Sequence, residues 1–165
     1  MAKLKGVFLK TVIGSLMAGN ILFPEYKKMV DEMKDDEWYS WDLYTKMLQD
    51  FSKKLAPQVV VNVGMKVILA GKDVFIKEQG FDTIDKLLKG YPNMFDQTIV
   101  GLPNNERIKL IKNEPGHVIM HYTVRQPKAF NEGVIKGFFK LYNKTMKSFN
   151  IKEFNADYYE IEVTW

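Results

Sequence analysis

The sequence predicts an α+β fold, with a helical N-terminal half packed on a C-terminal antiparallel sheet of about four strands and one long crossing helix. Three observations predict it. Apolar residues recur at helical spacing through the first half of the chain. The apolar period then shortens to two, with turn chemistry between short runs. A long amphipathic stretch after Pro127 interrupts those runs.

The elements follow in order. Leu4 to Ala18 places Phe8, Leu9, Val12, Ile13, Leu16 and Met17 at helical spacing and stops at Gly19-Asn20. Pro24 suits a first helical turn, and Tyr26, Met29, Val30 and Met33 continue as a stripe to the charged run Lys34–Glu37. Ser40 is an N-cap for Trp41 to Leu55, with Leu43, Tyr44, Met47, Leu48 and Phe51 inward. Pro57 opens a segment whose Val59–Val63 run is strand-like in propensity. Met65, Ile68 and Leu69 extend it at helical spacing, so a helix is expected. Phe81 to Leu88 reads as a short helix ended by Gly90-Tyr91-Pro92. Gln97–Leu102, Arg107–Lys112 and His117–Val124 read as strands separated by Pro103-Asn104-Asn105 and Glu114-Pro115-Gly116. Pro127 starts the long helix to about Lys147, and Tyr158 to Trp165 closes the chain with strict alternation.

Composition bounds the rest. The 165 residues and 19.2 kDa suit one domain, residues 1–165, and 46% hydrophobic content excludes a disordered chain. A net charge of +4 is mildly basic, but the lysines are interspersed and the arginines are only Arg107 and Arg125, so no nucleic-acid partner is expected. Without cysteine there are no disulfides, thiolate nucleophiles or thiolate metal sites, and a cytoplasmic location is expected. The apolar run Val7 to Met17 is broken by Lys10 and too short to span a bilayer, so neither export nor a membrane span is expected.

The polar row His121, Thr123 and Arg125 lies on one face of its strand, opposite Val118, Met120, Tyr122 and Val124. Hydrogen-bonding groups ending in a permanent cation suit an anionic or carbonyl-bearing ligand. His117 and His121 share that face about 13 Å apart, too far for one metal, so no metal site is expected. Gly133 and Gly137 form a small-residue face on the long helix, for tight helix-on-sheet packing or close approach of a ligand. No phosphate loop, nucleophile elbow or carboxylate pair with a perturbed setting stands out, so no enzyme is expected.

Several motifs in this order resemble the superfamily that joins heme–nitric oxide/oxygen binding (H-NOX) domains, vinyl-reductase-type sensor domains and the TRAPP trafficking fold. Lys5-Gly6-Val7-Phe8 is similar to the start common there, and Trp38-Tyr39 to the segment entering the second helical layer. Phe81-Asp82-Thr83-Ile84-Asp85-Lys86-Leu87-Leu88, followed by Tyr91-Pro92, resembles the H-NOX run that ends in the proximal histidine. His121-x-Thr123-x-Arg125 is similar to the Tyr-x-Ser-x-Arg signature that holds the heme propionates, and Phe130 to Phe138 to the Gly-containing helix after it. The resemblance implies that fold and a pocket between helices and sheet. Leu88 stands where the proximal histidine would be, and leucine cannot ligate iron; no cofactor is expected, with heme possible only through another ligand.

The expected function is thus a non-enzymatic small-molecule-binding or sensor domain for a small apolar or amphipathic molecule with an anionic group. Arg125 would anchor the anion beside Thr123 and His121, and Leu88, Met65 and Leu69 would meet the apolar body. The alternatives are a protein-interaction module of the same fold and an atypical heme sensor. A homodimer through Phe8, Val12, Leu16, Phe23 and Tyr26 is also expected.

Overall fold

The computed structural model describes residues 1–155 and 157–165. Strand β1 (Lys3–Lys5) leads into helix α1 (Gly6–Gly14), followed by α2 (Gly19–Leu22) and α3 (Pro24–Asp31). Strand β2 (Trp38–Ser40) pairs antiparallel with β1 and feeds α4 (Trp41–Lys54). Ser40 caps α4 as expected, its hydroxyl accepting from the Asp42 and Leu43 amides. Gly6 is required at the β1–α1 junction, because a Cβ there would overlap the Lys34 carbonyl.

Helix α5 (Pro57–Ala70) confirms the helical reading of the valine run; a π-helical turn, Val74–Glu78, then leads toward α6 (Ile84–Thr98). Here two expectations are corrected. The helix expected to stop at Gly90-Tyr91-Pro92 runs on to Thr98, and Gln97–Leu102 is no strand beyond a single bridge from Val100 to Lys3. Pro92 removes one helical hydrogen bond, but Ile84, Leu87, Leu88, Tyr91 and Phe95 form one continuous buried face across it. Burial of that face outweighs the proline.

The fourth strand comes from elsewhere. Strands β3 (Ile108–Glu114), β4 (His117–Tyr122), β5 (Ser148–Asn155) and β6 (Tyr158–Thr164) form an antiparallel sheet in the order β3-β4-β6-β5. Gly116, at φ +77, makes the β3–β4 turn. The long helix α7 (Lys128–Leu141) stops short of Lys147: Asn143 takes the left-handed conformation, and the Lys144 amide bonds back to the Phe139 carbonyl. Strand β5 lies just beyond that expected end, in a stretch for which no element is expected from the sequence; it is an edge strand with only Phe149 and Ile151 turned inward, which hides its period.

Alternation on β4 and β6 works as read. Val118, Met120, Tyr122, Tyr159, Ile161 and Val163 are buried under the helices, while His117, His121, Glu160 and Glu162 line the outer face. Helices α5 and α7 meet backbone to backbone: a Cβ at Gly64 would overlap the Phe130 carbonyl, and one at Gly133 the Val61 carbonyl. Gly133 and Gly137 thus serve a helix–helix contact.

Gly133→Ala is expected to destabilise the fold by about 1–3 kcal/mol through overpacking, read from urea unfolding. Gly14→Ala is the control, because nothing lies within 4 Å of its added methyl; it should be neutral or slightly stabilising.

Candidate functional site

Between α1, α4, the end of α5, α6 and the start of α7 the core leaves a cavity of about 320 Å³. Its deep wall is aromatic and aliphatic: Trp41, Tyr91, Phe95, Phe130 and Val134 are buried. The exposed members of its lining, which mark the mouth, include Val7 of α1, Val74 of the π-helical segment and Gln79 just after it. Phe75 fastens that segment by an edge-on contact with Phe138, ring centres 6.2 Å apart. No charged side chain lines the cavity among the described residues.

The six expected site residues lie elsewhere. Arg125 is committed to protein carboxylates: Nε donates to Glu106 at 2.7 Å and a terminal nitrogen to Asp42 at 2.8 Å. The Glu106 side chain is only 7% exposed, against 37% for Arg125, and its other oxygen accepts from the Trp41 indole at 2.9 Å. Burial opposes the guanidinium charge, but Asp42 and Glu106 outweigh it and raise its pKa. Thr123 exchanges hydrogen bonds with the Arg107 backbone at 3.1 and 3.2 Å. His121 pairs with Glu160 at 2.8 Å, and its other ring nitrogen meets the Tyr158 hydroxyl at 3.0 Å. Leu88 is fully buried on α6, and Met65 and Leu69 are half-buried on α5. None of the six lines the cavity.

What reaches the cavity from the segment between β4 and α7 is Gln126, one residue past Arg125. It is 7% exposed, and its Oε1 is buried with no partner among the described residues. Its amide faces the Tyr44 hydroxyl. The signal was present in the sequence: the inward alternation Val118, Met120, Tyr122, Val124 places its next member at 126. A glutamine on an apolar register was more informative than the polar row beside it.

The residues expected at a dimer interface mostly complete the core, with Val12, Leu16 and Phe23 buried. The apolar side chains left exposed nearby are Met17, Ile21, Leu22 and Met29. No helix is long and apolar enough to cross a membrane, and no group of three or more histidine and acidic side chains could hold a metal, among the described residues.

No family model and no curated protein matches the chain. Solved structures do. A point mutant of the iron(II), unliganded H-NOX protein from K. algicida superposes with a TM-score of 0.73 at 11% identity, over 97% of this chain and 95% of that one. An oxygen-binding H-NOX domain related to soluble guanylate cyclases, in its oxygen complex, gives 0.67 at 17% identity, over 96% of this chain and 89% of that one. The architecture is that of an H-NOX-like domain.

A heme held by histidine does not fit these residues. Neither histidine lines the cavity; His117 and His121 lie on the outer sheet face, each paired with a glutamate. The wall offers the Met94 thioether and the Tyr44 and Tyr91 phenols, and burial holds both phenols protonated with raised pKa values. Carboxylates entering the cavity would meet no free cation.

The tyrosines set a clear pH dependence. Burial raises Tyr44, Tyr91, Tyr122 and Tyr159 well above the usual phenol range, and burial with the Asp50 hydrogen bond pushes Tyr26 up to about 12. A folded pKa above the unfolded value of about 10 favours the neutral form in the fold. Their contribution is complete below that pH and is lost as pH rises past it. Stability should fall steeply in alkali, and ultraviolet difference spectra should show the four buried tyrosines of the chain's eight ionising only with unfolding.

Proposed function

We propose that this domain is a non-enzymatic small-molecule-binding module of sensor type, which holds an apolar molecule in the cavity between its helices. One observation carries the reading: an uncharged cavity of about 320 Å³ inside an otherwise packed core. That volume falls in the range of small-molecule sites. An apolar wall open to water favours an occupant that covers it, at about 25 cal/mol per Å² of apolar surface removed from water. The likeness to sensor-related H-NOX domains agrees in fold.

The mouth implies the route. The π-helical segment Val74–Glu78 carries no buried residue and is fastened through Phe75, so its displacement opens the cavity at small cost. Local departures of this kind from α-helix recur at functional sites. An occupant would order the segment, and that change would carry the signal to a partner.

Filling the cavity tests the reading. Val67→Phe projects a ring from the α5 wall. Isothermal titration with a small aromatic hydrocarbon is expected to show one site per chain in the parent, weakened at least about ten-fold in the variant. The variant's unfolding midpoint should hold or rise, as cavity filling commonly adds about 0.5–2 kcal/mol. Absence of saturable binding to the parent would contradict the proposal.

Heme is the second reading, favoured by the fold of the neighbours, one of which is an oxygen complex. Because no wall histidine is present, hemin is expected to give no sharp, stoichiometric Soret band. A one-to-one band that survives His121→Ala and is lost with Met94→Leu or Tyr91→Phe would establish heme through a wall ligand instead.

A further inference from the structure

The buried polar side-chain atoms of the cavity wall are satisfied from within the protein, with one exception among the described residues. The Thr11 and Thr98 hydroxyls donate to the Val7 and Met94 carbonyls at 2.7 and 2.8 Å, and the Trp41 indole N–H is held by Glu106. Gln126 is the exception: more than nine-tenths buried, lining the cavity, with Oε1 unpartnered among the described residues. A buried amide oxygen without a donor is costly, and native interiors avoid it. A lone water is a poor answer against mainly apolar walls, since it needs two or more further polar partners.

We infer that the cavity takes a neutral molecule with a compact apolar body and a single hydroxyl, anchored at Gln126 beside Tyr44. Neutrality follows from the wall, which has no charged side chain among the described residues to compensate a buried ion. Arg125, one residue away, is saturated by Glu106 and Asp42. The hydroxyl follows from the amide. It donates to Oε1 and, if the amide is rotated, accepts from Nε2, so it matches Gln126 in either orientation. A ketone only accepts, and an ammonium only donates and brings a charge that the wall does not compensate. Size follows from the 320 Å³ volume, which is room for on the order of ten non-hydrogen atoms. Aromatic alcohols and short branched aliphatic alcohols meet all three conditions.

This deepens the cavity-binding reading and rests on it. Fluorescence titration of the full chain with 2-naphthol, naphthalene and 2-naphthoate separates the two. The parent protein is expected to bind one 2-naphthol per chain, roughly ten-fold tighter than naphthalene, the worth of one buried hydrogen bond. Naphthoate should bind at least ten-fold more weakly than the alcohol. Gln126→Leu, with Gln126→Met as a second variant, should abolish the preference for the alcohol while leaving naphthalene bound as tightly or tighter. Equal affinity of the parent for 2-naphthol and naphthalene would overturn the hydroxyl anchor and leave the cavity reading intact. Tighter binding of naphthoate, lost in Arg125→Met, would overturn it in favour of an anion site. Binding of none of the three would overturn both.

Discussion

The contact of α5 with α7 at Gly64 and Gly133 sets the geometry on which the rest of the domain depends. With no Cβ on either glycine the two backbones touch, and Gly137 extends the contact toward Ile68, whose Cβ would lie 2.9 Å from an added methyl. Close crossing fixes where α7 begins, and with it the Gln126-Pro127 step that leads from the sheet into the helix. It also brings Ile68 and Val67 on one helix opposite Phe130 and Val134 on the other, four of the walls of the cavity. Larger residues at the crossing would push the helices apart and change the cavity's shape before they changed its chemistry.

Charge is kept outside that space by an equally specific arrangement. Glu106 joins the loop before β3 to Trp41 at the start of α4 and to Arg125, between β4 and α7. A buried carboxylate is tolerable only when it is paired and hydrogen-bonded, and here both oxygens are used. The cation that the strand pattern offers to a ligand is thereby neutralised by the chain's own carboxylates. The two outer-face histidines are handled in the same way, each against a glutamate of β6. What remains inside, among the described residues, is an apolar wall with one unpartnered amide oxygen, on which the proposed selection by shape and a single polar contact rests.

Much of this was legible in the sequence. Capping at Ser40, the valine run as a helix, the β3–β4 hairpin and the alternation of β6 follow local rules, and the motif order pointed to the H-NOX-like fold. The errors have physical causes. Pro92 looked like a helix stop because its local cost is plain, whereas the buried face that outweighs it is a tertiary fact. Strand β5 was not read as an element, because an edge strand with two inward apolar residues has almost no period to read. The polar row His121, Thr123 and Arg125 was legible, but its pairing with Glu160, the Arg107 backbone, Glu106 and Asp42 is a tertiary fact. Gln126, which lines the cavity, is polar on an apolar register, and the space beside it depends on how five helices pack, which no local pattern records.

A crystal soaked under xenon pressure tests the central claim most directly, because xenon enters apolar cavities without needing a hydrogen bond. Xenon density beside Tyr91, Phe130 and Val134, lost when Val67→Phe fills the wall, is the predicted result. A parent crystal with no xenon in that space, its side chains closed together across it, would contradict the account.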